Sequence, residues 1–176
     1  VSLRAAQRFV LSLLNSLLGG NMSSRLFQEI RERRGLAYSV YTHTASYEDT
    51  GMFGVYAAVE PDKALETTRL IARNLRAVKD APVSAAELQD AKDYTKGCLL
   101  LAAESTDNQM ARIAQSELLF ERCIPLETIL ERLQAVTAED LLTLANALFT
   151  LDQTSLTVLG PPLDAAPEAF RDCLAL

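Results

Sequence analysis

The chain has 176 residues, 49% of them hydrophobic and 23% charged, which is ordinary globular usage and enough length for one well-buried core. Its 17 Lys and Arg against 23 Asp and Glu leave a net charge of −6, which argues against a general nucleic-acid surface or an anionic-membrane surface. No uninterrupted apolar run approaches the roughly 18 residues of a membrane span, and three cysteines, an odd number, argue against a disulfide framework.

In chain order, Phe9, Val10, Leu13, Leu14, Leu17 and Leu18 recur at helical spacing, so an amphipathic helix opens the chain and Gly19-Gly20 ends it. Ser23 or Ser24 can cap a second helix with Leu26, Phe27 and Ile30 as its apolar stripe and Gly35 as its stop. On a wheel of about 100° per residue, Arg31 falls roughly 90° from that stripe, at the border of core and solvent. From there it reaches sideways into a cleft. Arg33 pairs with Glu29 at i, i+4, and Arg34 snorkels over the core towards the last carbonyls. Residues 19–24 could cradle an anion through backbone N–H groups, but they lack the lysine and spacing of a P-loop, and a plain helix-to-helix turn is the stronger reading.

Residues 37–47 and 52–59 are rich in Tyr, Val, Thr and Phe, and the intervening Glu48-Asp49-Thr50-Gly51 reads as a hairpin turn. Pro61 starts a helix through about Lys79 with Leu65, Thr68, Ile71, Ala72, Leu75 and Val78 inward. After Pro82, Ser84-Ala85-Ala86-Glu87 has the form of a capping box opening a long helix, with Leu88, Ala91, Thr95, Cys98, Leu99 and Ala102 inward. A break near 105–108 precedes a resumed stripe at Met110, Ile113, Ala114 and Leu118. Residues 126–134 form a short helix, Thr137-Ala138-Glu139-Asp140 caps the next, 154–159 reads as a final strand, and 164–176 as a short amphipathic helix through Phe170 and Leu174. The predicted class is α+β, one domain over 1–176, with helices on one face of a mainly antiparallel sheet in which strands from both ends meet.

The Gly-Gly turn, Ser23-Ser24-Arg25-Leu26-Phe27, the arginine-rich helix and Arg34-Gly35-Leu36-Ala37-Tyr38 resemble the signature of the non-catalytic C-terminal half of insulinase/pitrilysin zinc metallopeptidases, which include the mitochondrial processing peptidases. The resemblance continues more loosely through 49–59, 82–97, 136–140 and 156–160. It implies a clamshell of two homologous halves. Zinc and general base lie on the N-terminal half, and the C-terminal half contributes an arginine and a tyrosine that contact bound peptide. Those positions match Arg31 and Tyr38, seven residues apart, as substrate-binding residues. A guanidinium and a phenol are donors suited to a peptide carbonyl and its developing oxyanion. The plainer reading is a solvated helix arginine and a strand-anchoring tyrosine.

The inverted zinc motif H-x-x-E-H is absent: the chain has one histidine, His43, a strand-surface residue, and Cys98, Cys123 and Cys173 lie far apart. No metal site and no catalytic residue is therefore expected on this chain, and zinc is expected in the partner half. The family fold begins with a strand ahead of the first helix, which this sequence lacks. The expectation is a fragment of a longer protein, or else an open sheet edge that a second copy could pair with. Two functions follow from the resemblance: half of a working peptidase closing over an extended peptide, inactive alone, or an inactive scaffold subunit resembling the core proteins of respiratory complex III. The composition suits a soluble domain, cytoplasmic or periplasmic.

Overall fold

Helix α1 (Arg8–Leu18) carries seven buried residues in eleven, and Leu13, Leu14 and Leu18 are fully enclosed. Each such leucine contributes about 1.5–3 kcal/mol of burial. The structure, a computed structural model, describes residues 1–2, 5–162 and 165–174. A π-helical turn (Phe27–Glu32) follows α1, then strands β1 (Ala37–Ser46) and β2 (Gly51–Val59). A 3-10 turn at Pro61–Lys63 leads into α2 (Ala64–Asp80), α3 (Ala85–Ala102), α4 (Thr106–Phe120), α5 (Leu126–Ala135) and α6 (Ala138–Leu148). The short α7 (Pro167–Cys173) comes last.

The main core gathers α1, α2, α3, α5 and α6 around Leu13, Leu14, Leu75, Val78, Leu133, Leu141 and Leu144. A smaller core of Leu26, Ile30, Ala37, Val40 and Leu70 lies beneath the π-turn and the start of the sheet. Phe53 of β2 joins the hairpin to the main core by an edge contact with Phe149, 5.3 Å between ring centres. The opposite face of the hairpin carries exposed Tyr41 and Tyr56, so helices cover one face only, and the fold is α+β as predicted.

The Gly-Gly turn is a point of close approach. A Cβ on Gly19 would stand 2.6 Å from the Thr42 backbone nitrogen, and Thr42 donates its N–H to the Gly19 carbonyl and its hydroxyl to that of Asn15. Gly19 and Gly20 both donate to the Asn15 carbonyl, Ser23 N–H donates to Asn21 Oδ1, and Ser24 N–H to the Asn21 carbonyl. Those amides are spent within the turn, as the plain-turn reading requires.

Several expectations change. Neither Ser23 nor Ser24 caps the second helix with its side chain; Asn21 orders the approach through its amide oxygen. Ser84 does accept from Glu87 N–H, but the Glu87 carboxylate turns to Arg25, so only half of the capping box forms. On α2 the buried positions include Ala64, Thr67 and Leu70, while Leu65, Thr68 and Ile71 are half-buried. In the C-terminal half of α3 Leu99 still packs on the main core, but Cys98 and Leu101 are exposed, and most of α4 stands clear, leaving Met110, Ile113 and Leu118 exposed, Leu118 at 80%. Their helical spacing is real, but no neighbouring element among the described residues covers the stripe.

Residues 154–159 form no strand. A β-branched run becomes a strand only against a partner edge, and among the described residues the sheet consists of β1 and β2 alone, leaving Leu156, Val158 and Leu159 exposed. Of the predicted tail helix, Asp164, Ala175 and Leu176 lie outside the described residues. Phe170 is buried and α7 packs on α2.

Thr137 and Asp140 close a full capping box at α6, with Thr137 N–H to Asp140 Oδ2 at 2.8 Å and Asp140 N–H to Thr137 Oγ1 at 3.1 Å. The backbone N–H of Thr137, then its hydroxyl, hold the Asp140 carboxyl below the usual carboxylate range. A folded-state value below the unfolded one stabilises the fold above the unfolded pKa of about 3.9, and that contribution is lost as pH falls through the folded value. Asp140→Ala is expected to cost about 0.5–1 kcal/mol at pH 7 in urea unfolding, with the gap to the parent narrowing below about pH 4. Gly19→Ala, which drives a methyl into backbone, is expected to cost about 1–3 kcal/mol in the same measurement.

Candidate functional site

Two local irregularities put Arg31 and Tyr38 beside each other. The first is the π-turn, which ends in an αL cap: Gly35 N–H donates to the Arg31 carbonyl at 3.1 Å, and Leu36 N–H reaches one residue further back, to the Ile30 carbonyl at 2.9 Å. Gly35 is the left-handed residue this motif demands, at φ 62°. Ile30, fully buried, and half-buried Leu36 pin both ends of the cap to the smaller core. Arg31 is therefore held from both sides on a segment whose inward residue cannot move.

The second irregularity is a β-bulge. Ala37 pairs with Val59 and Ser39 with Ala58, so Tyr38 is the extra residue, thrown out of register and 85% exposed. The Arg31 guanidinium carbon lies 5.2 Å from the centre of the Tyr38 ring and 4.9 Å from that of Phe27. This geometry favours a cation on both rings. Neither placement follows from a regular wheel or a regular strand, and a functional reading is commoner at such irregularities than elsewhere.

The three other arginines of the segment are committed to carboxylates. Arg25 forms a two-pronged pair with Glu87 at the start of α3, at 2.5 and 2.7 Å. Arg33 lies 3.7 Å from Glu29, as the spacing predicts. Arg34 does not snorkel: it bridges Glu29 at 3.1 Å and Glu66 of α2 at 3.5 Å, tying the turn to that helix. Arg31 meets its nearest carboxylate, Glu32, only at 4.0 Å.

Beside the pair lies an open cleft of about 580 Å³, lined by Arg31, Tyr38, Ala58, Val59, Glu60 and Lys63. A hydrogen bond from Lys63 to Asp62, 3.2 Å away, raises the lysine pKa, so it is cationic at every working pH. Sequence reasoning missed Lys63 and the part played by Phe27. Lys63 follows a Pro-containing turn with no pattern of its own, and Phe27 was assigned wholly to the core stripe. His43 sits exposed on β1 with its ring laid against Gly54, as a strand-surface residue. Among the described residues no group of three His, Cys, Asp or Glu could hold a metal ion.

The fold and site define an α+β domain with a bulge tyrosine and a π-turn arginine beside an open cleft. The family described as the peptidase M16 inactive domain matches residues 1–94, and the chain belongs to that family. It is 40% identical over 151 residues to an uncharacterized zinc protease of Bacillus subtilis, covering 86% of this chain and 37% of that protein. A peptidase M16 inactive domain from Pseudomonas fluorescens shares the fold at TM-score 0.71 and 22% identity, covering 84% of this chain and 35% of the other. A chain of Complex III2 from Candida albicans does so at TM-score 0.73 and 18% identity, covering 83% and 37%. The chain spans little more than a third of the curated relatives it matches. No helix among the described residues is long and apolar enough to cross a membrane.

Gly35 has open space around its Cα, so Gly35→Ala tests backbone strain without a clash. It is expected to cost about 1–2 kcal/mol and to raise amide exchange at Leu36 and Gly35 before any global unfolding.

Proposed function

We propose that this domain is the non-catalytic half of a zinc metalloendopeptidase, closing a chamber over an extended peptide that Arg31 and Tyr38 bind. The observation that carries the reading is the approach of the Arg31 guanidinium to the Tyr38 ring at the mouth of the cleft, in a chain of this family. The chain covers only part of its relatives' length, in keeping with a catalytic partner half supplied in the same polypeptide or another. Zinc and the general base come from that half, so this domain alone hydrolyses nothing. The whole protein works in the cytoplasm or periplasm as a processing-type peptidase.

The chemistry asked of this half is positioning and charge stabilisation. Arg31 offers guanidinium N–H donors and Tyr38 one O–H donor, both directed at a peptide carbonyl whose oxygen gains negative charge during hydrolysis. The αL cap fixes the Arg31 backbone and Phe27 supports the guanidinium before substrate arrives, so little ordering remains to be done on binding.

A second reading is an inactive assembly subunit, favoured by the fold likeness to a chain of Complex III2. The two part on one measurement. In the protein carrying both halves, Arg31→Ala and Tyr38→Phe are each expected to lower kcat/KM on an unfolded peptide by roughly 10²–10³. Unchanged turnover in either variant would remove that residue from the site, and absence of any hydrolysis by the zinc-loaded whole would favour the scaffold.

A further inference from the structure

Beyond the cleft, the uncovered face of the hairpin carries an aromatic row that neither the core nor the Arg31–Tyr38 pair uses. The cross-strand pairs on that face are Ser39 with Ala58, Tyr41 with Tyr56, His43 with Gly54, and Ala45 with Met52. Ala58, small, belongs to the cleft lining. The next pair along the strands is the two tyrosines, with ring centres 5.0 Å apart and planes at 30°, each nearly half exposed at 44% and 47%. His43 continues the row, 6.1 Å from the Tyr41 ring and laid flat over Gly54, where a Cβ would stand 2.4 Å from the imidazole Cε1. The small pair Ser39 and Ala58 thus separates the cleft beside Arg31 and Tyr38 from the stacked rings on the same face of the hairpin.

We infer that Tyr41 and Tyr56 form a specificity-determining subsite that takes a bulky apolar side chain of the bound peptide, two to three residues from the peptide group held at Arg31 and Tyr38. The inference rests on the peptide-binding reading above. Tyr41 follows Tyr38 by three residues, about 10 Å along a strand at roughly 3.3 Å per residue, and an extended peptide lying beside β1 advances at the same pitch. Stacked tyrosines offer a large, rigid surface at small entropic cost. At the near end of the row Glu60 lies with Arg31 and Lys63, and Lys63 pairs with Asp62, so charge there favours neither sign, while the ring faces offer nothing to a carboxylate. The apolar area of two stacked rings suits a bulky apolar side chain, and a preference for Lys over Phe and Leu at that position, which ring faces favouring a cation would give, overturns the assignment. Cross-strand aromatic pairing by itself would stabilise the hairpin without reading any ligand. The two roles make different predictions.

The test uses the protein carrying both halves and one parent peptide in which Phe, Leu, Ala, Lys or Glu is placed in turn at each of three positions on either side of the cleaved bond. The expected result is a Phe-to-Ala or Leu-to-Ala ratio of kcat/KM of roughly tenfold at one position two or three residues from the bond. In Tyr41→Thr/Tyr56→Thr that ratio falls towards one, and in Tyr41→Phe/Tyr56→Phe it persists. Threonine keeps the β propensity of the strands, and an unchanged Tm checks the fold; if the double variant is destabilised, Tyr56→Thr alone is read in the same way. A ratio that survives removal of both rings, or a parent protein with no apolar preference at those positions, overturns the inference. Failure of the underlying reading has a separate signature: Arg31→Ala then leaves turnover of every peptide unaltered, whatever the tyrosine variants do.

Discussion

The burial of Ile30 beneath a left-handed glycine is the constraint on which the candidate site depends. Ile30 supplies the carbonyl that Leu36 N–H closes upon, and its side chain is fully enclosed with Leu26, Val40 and Leu70. Because the capping bonds and the apolar anchor meet at one residue, the backbone of Arg31 has no independent freedom. The β-bulge then starts two residues after the cap, too few for slack to build up. Arg31 and Tyr38 are placed by the same short segment, and the distance between them is set by local geometry more than by the packing of distant elements.

The ion pairs around this segment act as guides and contribute little stability each. Arg34 to Glu66 and Arg33 to Glu29 are substantially exposed and add at most a few tenths of a kcal/mol to about 1 kcal/mol. Arg25 to Glu87 is better shielded and two-pronged, and it draws the Glu87 carboxylate away from the capping box it could have completed. Helix α3 thus gives up half a cap and is tied to the turn instead. With those three arginines engaged, the remaining guanidinium of the segment is directed at two aromatic rings and an open cleft.

Much of this was legible in the sequence. The stripe of α1, the hairpin with its turn, the α6 capping box and the spacing of Arg31 to Tyr38 rest on local periodicity and turn chemistry, which a single sequence carries. What was hidden depends on long-range packing or on hydrogen bonds that skip the regular ladder. The π-turn has the same apolar spacing as an α-helix, and what distinguishes it is hydrogen bonding five residues back, as from Arg33 N–H to the Gln28 carbonyl at 3.0 Å. Cys98 and Leu118 follow a helical period on an arm whose stripe no element among the described residues covers, and a period cannot reveal whether a partner exists. The run 154–159 has β-branched residues but no edge to join among those described. The stacking of Tyr41 on Tyr56 needed the register, and a slip of one residue would have separated them.

The two faces of the hairpin are divided between different tasks. Val40, Val55 and Ala57 on one side join the smaller core and Phe53 the larger, so the strands cannot twist or slide without opening both. That fixes the backbone of the other side, where the ring contacts are those of the aromatic row itself. Exposed rings carried on strands anchored in this way have their backbone ordered on folding, so that ordering is not repeated at each encounter with another molecule. The same logic holds for the cleft, where Phe27 supports the guanidinium from below and the bulge presents the phenol from the side. Rigidity at this site therefore comes from apolar burial on the far side of the strands.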